Sequence, residues 1–397
     1  MRKKETIIIL SLMRFDGLQS TNFTIAKYLA RDNDVYYIEH PYSITDYIRL
    51  DKKSGEYKYR KEGFRFFSTG LLEKKIDGVN VLISRFVLPI NFLNPGKIYN
   101  SLLHLNEALV ATRIKSLISQ KKISDYIFIN AYNFFFPTLG KKLSAKLNIY
   151  YCVDPIPKYH RKHGIVNENK LIKNSDLIIC TSKALFNEKK KLNSNCYFVP
   201  NGADLVETIK QHDIKPHPTL HNIMRPVIGY IGAIERRIDY NLIQKIVQSN
   251  KDKSFVFVGP VYKENLPDWF FKLENIHIVP PISYDEVADM IYAFDVCMIP
   301  FKKDEISDCI FPLKLFEYLG IGKPVVLTNF NEDLKSFTEN LVEFAATAEE
   351  FSNAVETCLR ANDQYLMCAR IQLAQKNTWQ NRADMINDII SKNLSES

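Results

Sequence analysis

The sequence predicts an α/β protein with two doubly wound domains, each a parallel sheet covered by helices. Short runs of β-branched and other apolar residues alternate with amphipathic stretches along the whole chain. These runs are apolar throughout, without polar alternation, which is typical of strands buried on both faces of a parallel sheet. A length of 397 residues fits two domains of about 200 residues each.

Seven strands separated by helices are predicted in the first half of the chain. The strands are 6–12, 35–39, 79–84, 126–130, 148–153, 177–181 and 196–199, and the clearest helices are 21–30 and 101–119. The segment 51–75 is rich in Lys, Arg, Tyr and Phe and has weak periodicity. We interpret that segment as a surface loop or a small insertion.

The second half repeats the alternation of strands and helices. The predicted strands are 227–231, 254–258, 276–279, 296–299 and 324–328, and the predicted helices are 240–249, 283–293, 312–319, 348–360 and 378–394. Ser283 and Glu286 form a predicted capping box, which places the start of one helix. The polar segment 204–225 is interpreted as the linker and the entry into the second domain.

Charge is divided unevenly between the two halves. Residues 1–200 carry a net charge of +16, and residues 201–397 carry −8. This asymmetry indicates that the first half faces an anionic partner, such as a membrane surface, a phospholipid-linked substrate or a nucleic acid. A solvated lysine-rich surface gives the same pattern. The basic half has no recognised nucleic-acid-binding motif, so a nucleic acid is not the expected partner.

The cysteines and the N-terminus indicate where the protein resides. Seven cysteines form no CxxC pair and lie mostly in apolar runs, which is typical of a reduced cytosolic protein without a zinc site. The apolar run 7–13 is short and lacks a cleavage site, so it is interpreted as the first strand. No stretch approaches the roughly 18 apolar residues of a membrane span. We expect a cytoplasmic protein with at most peripheral contact at the inner face of the plasma membrane.

The strongest candidate for chemistry is the segment 311–326, a predicted loop, helix and strand. The backbone N–H groups of Leu313 and Lys314 at the helix start form a predicted anion site, to which the Lys314 ammonium adds a positive charge. Lys314 and Glu317 share one helical face. A phosphate on the lysine and a pair of sugar hydroxyls on the glutamate therefore fit this spacing. An exposed Lys–Glu pair on an ordinary helix is the alternative.

The segment 311–326 resembles the signature of family-four GT-B glycosyltransferases. Blocks at 176–182, 199–204 and 229–232 accompany it in the same order, as in transferases of bacterial surface-polysaccharide and teichuronic-acid assembly. The resemblance implies a GT-B fold, with two Rossmann-like domains and a cleft between them. It assigns 1–205 to the acceptor, 206–372 to the nucleotide sugar and 373–397 to a helix that packs back onto the first domain.

The resemblance also implies roles for particular residues. Glu317 matches the glutamate that holds the nucleotide ribose, whereas the glutamate that touches the donor sugar falls at Cys309, with Asp308 beside it, so the donor sugar stays open. Arg236 and Arg237 stand where the family's basic residues bind the diphosphate. A guanidinium suits a diphosphate because its planar fork donates two parallel hydrogen bonds. A solvated turn is the alternative.

Three residues at predicted strand ends complete the candidate site. Gly259 ends a strand at the sheet edge where α/β proteins place ligands. Gly17 follows the first strand and lets the backbone approach the donor phosphates or the acceptor. Asp154 is the predicted catalytic residue, because an inverting transferase places its general base there. His160 and His163 keep a retaining reaction open, and each of the three strand-end residues also suits a plain turn.

The sequence therefore predicts a glycosyltransferase acting in bacterial surface polysaccharide synthesis. Its sugar comes from a nucleoside-diphosphate sugar and goes to a glycan or a polyprenyl-diphosphate-linked acceptor. No cofactor and no metal is expected, because Arg and Lys neutralise the leaving diphosphate. A sugar-nucleotide epimerase of the same architecture and a non-catalytic glycan-assembly partner remain as alternatives. The absence of GxGxxG spacing at 229–232 argues against a dehydrogenase.

Overall fold

The computed structural model describes residues 3–16, 20–65, 68–203, 213–304, 307–361 and 363–396. The chain divides into two compact units, Met1–Pro200 with Arg382–Ser397, and Asn201–Asn381. This division falls at Pro200, where the sequence suggested 205. The tail rejoins the first unit at Arg382, where the sequence suggested 373.

The described part of the first unit is built on a parallel sheet. Its strands are β1 (Thr6–Ser11), β2 (Asp34–Ile38), β3 (Asn80–Leu82), β4 (Ile127–Ala131), β5 (Leu147–Cys152), β6 (Leu177–Cys180) and β7 (Cys196–Phe198). Their order is β3-β2-β1-β4-β5-β6-β7, and all pairs are parallel. The order reverses between β1 and β4, and ligands of such sheets bind outside the carboxyl ends of the strands near this point.

Helices join these strands, and one of them lies where the sequence suggested a loop. They are α1 (Thr21–Leu29), α2 (Ile44–Arg49), α3 (Gly55–Phe64), α4 (Lys97–Lys121), α5 (Leu139–Leu143), α6 (Arg161–Asn174) and α7 (Lys183–Lys189). Helix α3 occupies part of the segment 51–75. Ser54 caps it by accepting a hydrogen bond from the Tyr57 N–H, and Arg60 and Gly63 are buried. Most residues of α3 are polar, so the sequence shows no helical periodicity of apolar residues there.

The second unit holds a second parallel sheet. Its strands are β8 (Val227–Ile231), β9 (Ser254–Val258), β10 (Ile276–Val279), β11 (Val296–Ile299), β12 (Val325–Thr328) and β13 (Glu343–Ala345). Their order is β10-β9-β8-β11-β12-β13, which reverses between β8 and β11. The predicted strands match β8 to β12 within one residue. Strand β13 was not predicted, because its three residues are too few to form a clear apolar run.

Five of the remaining helices among the described residues lie close to predicted ones, whereas α12 (Gln364–Lys376) was not predicted. The remaining helices are α8 (Tyr240–Ser249), α9 (Val287–Ala293), α10 (Leu313–Gly320), α11 (Ala348–Arg360), α12 (Gln364–Lys376) and α13 (Trp379–Ser395). The capping box of Ser283 and Glu286 is present, but it opens a 3₁₀ turn that precedes α9. No helix among the described residues is long and apolar enough to cross a membrane.

Candidate functional site

Two glycines shape the carboxyl ends of β8 and β9. Gly232 has a φ of 136° and Gly259 a φ of 140°, which L side chains rarely adopt. A Cβ on Gly259 would lie 2.3 Å from the Gly232 carbonyl oxygen, and a Cβ on Gly232 would lie 2.6 Å from Lys314 Nζ. The glycines therefore let the two strand ends approach each other and leave room for the lysine amine.

Lys314 lies in the first turn of α10, and its amine rests on aromatic rings. Its Nζ donates a 2.9 Å hydrogen bond to the Tyr230 hydroxyl. It also lies 4.0 Å from the centre of the Tyr230 ring and 5.1 Å from that of Phe301. Burial and, secondarily, the charge of Arg237 lower the pKa of Lys314 to about 7, against the opposing charges of Glu317 and Glu235. The amine therefore gains or loses its charge near neutral pH.

The N-terminus of α10 supports binding of an anion beside this amine. Pro312 occupies the cap position and makes no side-chain capping hydrogen bond, while Leu313 and Lys314 are the first helical residues. The positive end of the helix dipole lies at this turn. Glu317 follows one turn later, is half-buried, and its charge acts on Lys314. The structure thus brings Leu313, Lys314 and Glu317 together with Gly232.

The two predicted arginines have different surroundings. Arg237 pairs with Glu235, and its guanidinium lies 5.7 Å from the centre of the Phe301 ring, which the Lys314 amine also approaches. Arg236 is exposed, and the described structure shows no contact between it and this group. Among the two, Arg237 is therefore the one placed beside the lysine.

Two predicted positions cannot be placed. Gly17 lies outside the described residues, and so does the side chain of Cys309. The backbone of Cys309 ends a short 3₁₀ turn, Ser307–Cys309. Asp308, which lies beside Cys309 in the sequence, is exposed.

In the first unit, Asp154 follows the carboxyl end of β5 and is exposed. The nearby Tyr132 hydroxyl donates a 2.6 Å hydrogen bond to the Pro155 carbonyl. Burial and then the charge of Asp154 raise the pKa of Tyr132. His160 is half-buried, and its ring centre lies 5.3 Å from that of Phe135. Asp154 and His160 therefore both lie at the carboxyl edge of this sheet.

His163 has a packing role. It is buried, its ring stacks on Tyr99 with centres 3.9 Å apart, and its Nε2 lies 2.9 Å from the Leu93 carbonyl oxygen. Both the ring face and this nitrogen are thus occupied by neighbours. Of the two histidines that the sequence analysis kept open, His160 is the better placed for chemistry.

A cavity of about 260 Å³ lies at the same edge of the first sheet, lined by residues that include His40, Asn91, Phe92 and Phe135. Asn133 Nδ2 donates to His40 Nδ1 at 3.3 Å, which leaves the imidazole proton on Nε2. Burial lowers the pKa of His40 to about 4. His40 is therefore neutral and able to donate a hydrogen bond. His40 was not predicted as a site residue from the sequence.

Arg60, Glu39 and Asp16 form a charge cluster near the carboxyl ends of β1 and β2. The side chain of Arg60 is 0% exposed and donates to both carboxylate oxygens of Glu39, at 2.7 and 2.8 Å. It also donates to Asp16 at 2.5 and 2.8 Å. Although burial opposes it, this guanidinium lowers the pKa of Asp16. Arg60 thereby ties α3 to the ends of β1 and β2.

Part of the chain matches a known protein family. Residues 225–361 match the family described as Glycosyl transferases group 1. This match agrees with the fold, and the resemblance found in the sequence is confirmed. A stretch of 264 residues is 28% identical to the putative teichuronic acid biosynthesis glycosyltransferase TuaH of Bacillus subtilis (strain 168). It covers 62% of this chain and 66% of that relative, just under two thirds of its length.

Solved structures show the same fold at low sequence identity. Sucrose-phosphate synthase from Thermosynechococcus elongatus superposes with a TM-score of 0.68 at 13% identity, covering 99% of this chain and 100% of that chain. Anabaena HepE in complex with UDP has a TM-score of 0.66 at 12% identity, covering 98% and 100%. A structure titled trehalose-6-phosphate from E. coli, bound with UDP-2-fluoro glucose, has a TM-score of 0.67 at 10% identity, covering 96% and 98%. The predicted GT-B class with two Rossmann-like domains is confirmed.

Proposed function

We propose that this protein transfers a sugar from a nucleoside-diphosphate sugar to a glycan or polyprenyl-diphosphate-linked acceptor in bacterial surface polysaccharide synthesis. The observation that carries the proposal is the Lys314 amine, which lies beside Gly232 and over Tyr230 at the start of α10. This group belongs to the part of the chain that matches Glycosyl transferases group 1. The UDP bound to HepE and the teichuronic acid assignment of TuaH support the proposed donor and pathway.

The second unit supplies the donor side of the proposed reaction. The acceptor oxygen forms a bond to the anomeric carbon, the bond from that carbon to the diphosphate oxygen breaks, and the nucleoside diphosphate leaves with the electron pair. Lys314, Arg237 and the backbone N–H of Leu313 stabilise the charge that develops on the diphosphate. Glu317 accepts hydrogen bonds from the ribose hydroxyls. The sugar nucleotide is a co-substrate, and the proposal includes no cofactor.

The first unit supplies the acceptor side. We assign the acceptor to the cavity lined by His40, where the neutral imidazole donates to a hydroxyl and the ring of Phe135 packs against a sugar face. Asp154, at the same sheet edge, accepts the proton that the acceptor hydroxyl loses. This assignment gives a single displacement with inversion at the anomeric carbon.

Replacing Asp154 with Asn is expected to lower kcat by about 10²- to 10⁴-fold, because an amide cannot accept the proton. The Kd for the nucleoside diphosphate is expected to stay unchanged, since the proposal assigns the diphosphate contacts to Lys314, Arg237 and Leu313 and not to Asp154. Steady-state kinetics and calorimetry measure the two quantities.

Asp125→Asn is the matched control, because Asp125 is an exposed carboxylate at the amino end of β4, paired with Lys146 at 3.1 Å. It should retain the wild-type kcat. A wild-type kcat in Asp154→Asn, together with its loss in His160→Ala, would move the base assignment to His160.

Affinity for the nucleoside diphosphate is expected to fall as the pH rises above about 7, the pKa of Lys314 in the free protein. Below that pH the amine is already protonated when the anion arrives. Above it, binding requires proton uptake, so affinity decreases up to about tenfold per pH unit until the pKa of the bound state is reached. Calorimetry in buffers of different ionisation enthalpy measures both affinity and proton uptake. A constant affinity without proton uptake would contradict the assignment.

The proposed function is tested with a thermal-shift panel of UDP, GDP, dTDP and CDP, followed by turnover of the matching sugar nucleotides. A ligand at 100 times its Kd stabilises a protein by about 2.7 kcal/mol, a readable shift. We expect one nucleoside to bind and its diphosphate to be released only when a glycan acceptor is added. Sugar conversion without an acceptor would instead identify an epimerase, and binding without any turnover would favour a non-catalytic partner.

A further inference from the structure

One edge of the first unit exposes several large apolar side chains. Phe92, Ile98 and Tyr159 are 75%, 71% and 76% exposed. Ile165 and Val166 on α6 are exposed as well. Single exposed apolar residues are common, but a group of neighbouring ones marks an interaction surface.

These residues are held together by contacts between α6 and the segment 91–100. Lys162 Nζ donates to the Phe92 carbonyl at 3.1 Å, and Asn167 donates to the Tyr99 hydroxyl at 2.9 Å. The stacking of His163 on Tyr99 adds a third link. We define the α6 edge as residues 91–98 together with the exposed residues of 158–166.

The first turns of α6 place polar residues inside and apolar residues outside. His163, Asn167 and Glu168 are buried there and Ile165 and Val166 are exposed, whereas Leu171 and Ile172 near the end of the helix are buried. A surface helix of a globular protein normally turns its apolar stripe to the core. The outer face of α6 therefore suits contact with an apolar medium.

The charge of the α6 edge is uniformly positive. Four cations in the segments 88–105 and 155–167 are exposed, namely Lys97, Lys158, Arg161 and Lys162, and these two segments contain no Asp or Glu. The nearby carboxylates are Asp154, which is exposed, Asp46, which is exposed and lines the same cavity as Phe92, and Glu107, which is buried and paired with Lys142 at 3.0 Å. Cations around exposed aromatic and aliphatic residues complement an anionic lipid surface.

We propose that the α6 edge docks on an anionic lipid bilayer, with its cations among the headgroups and Phe92, Ile98 and Tyr159 in the interface. Phe92 also lines the cavity with His40, so an acceptor carried by a lipid reaches that cavity from the docked surface. This last point rests on the proposed function, whereas the docking itself does not. A second copy of the chain on the same patch would bring like charges together across a two-fold axis.

The test is co-sedimentation of the full chain with phosphatidylglycerol–phosphatidylcholine vesicles and with pure phosphatidylcholine vesicles. The wild-type protein is expected to bind the anionic vesicles and not the neutral ones. The Lys97→Gln/Lys158→Gln variant should lower the partition coefficient about 25-fold, since each cation near such a surface contributes about fivefold. Phe92→Ser/Ile98→Ser should also weaken binding, because it removes the two side chains that enter the interface.

The matched control is Lys115→Gln/Lys121→Gln, which removes two exposed lysines of the same helix α4. They lie more than about 25 Å along the helix from Lys97, at 1.5 Å per residue, so vesicle binding should persist. Circular dichroism melts establish that each variant is folded.

The docking proposal is overturned if the wild type does not bind anionic vesicles, or if the edge variants bind like the control. It is also overturned if the chain is a dimer that Phe92→Ser/Ile98→Ser converts to a monomer, which would make the edge an interface between copies. Nucleoside diphosphate binding by thermal shift in the same preparations separates the two proposals. Intact nucleotide binding without vesicle binding overturns only the docking, and the reverse result overturns only the proposed function.

Discussion

Replacing Lys314 with methionine is expected to abolish glycosyl transfer while the protein stays folded and loses no stability. A hydrogen bond to a charged group contributes about 1.5 to 3 kcal/mol, so the Kd for the nucleoside diphosphate should rise about 10- to 150-fold. Methionine retains an unbranched chain over the ring of Tyr230. The Tyr230 hydroxyl keeps its own 2.9 Å hydrogen bond to the Ala233 carbonyl. Calorimetry for binding and denaturant unfolding for stability measure the two effects.

The pH dependence of stability gives this variant an independent signature. Because burial lowers the pKa of Lys314 from 10.5 to about 7, the unfolded chain binds more protons than the native state between these two values. The free energy of unfolding therefore rises with pH between about 7 and 10.5. Below about pH 7 the native state carries the full destabilisation from the buried charge of Lys314. Lys314→Met lacks this destabilisation, so its gain in the free energy of unfolding over the wild type should be largest at and below pH 7 and should shrink as the pH rises toward 10.5.

Lys323→Met is the matched control for Lys314→Met. Lys323 is also half-buried, burial lowers its pKa, and its amine lies 4.8 Å from the centre of the Tyr292 ring. It precedes β12, and so lies at the amino end of that strand rather than at the carboxyl edge. We expect Lys323→Met to bind the nucleoside diphosphate with the same Kd as the wild type. If both variants bind the nucleotide as the wild type does, Lys314 does not contact the diphosphate.

The strands and the α10 segment could be predicted because their signals are local. Buried parallel strands such as Val227–Ile231 and Ser254–Val258 are continuous apolar runs, and their limits coincide with the ends of those runs. Lys314 and Glu317 were predicted as site residues from the helix start, from their shared helical face and from the resemblance of the segment 311–326. Asp239 caps α8 by accepting a hydrogen bond from the Leu242 N–H at 3.0 Å.

The missed residues act through contacts distant in sequence. Tyr230 lies within an apolar strand and is indistinguishable from a core residue until Lys314, 84 positions later, donates to its hydroxyl. His40 belongs to a cavity whose other walls come from separate segments of the first unit. Arg60 stands in a stretch rich in exposed cations, while its partners Glu39 and Asp16 are 21 and 44 positions away. A single sequence carries no signal for such pairings.

Replacing Arg60 with methionine is expected to destabilise the protein by about 3 to 5 kcal/mol, because it leaves the buried carboxylate of Glu39 without its partner. Burial raises the pKa of Glu39 even with the guanidinium in place. Without the guanidinium, the native state takes up a proton more readily than the unfolded chain, so the loss of stability should shrink as the pH falls. Urea unfolding at several pH values measures this dependence.

The double variant Arg60→Met/Glu39→Gln separates the charge effect from lost packing. A neutral amide is less costly to bury than an unpaired carboxylate, so the double variant should recover a substantial part of the stability lost by Arg60→Met. Arg65→Met, which removes an exposed arginine just after α3 that pairs with Glu62 at 2.8 Å, should change stability by less than about 1 kcal/mol. If Arg60→Met unfolds at the wild-type urea concentration, the cluster does not hold α3 against the ends of β1 and β2. If it is destabilised but Glu39→Gln restores nothing, lost packing of the arginine stem, not its charge, accounts for the loss of stability.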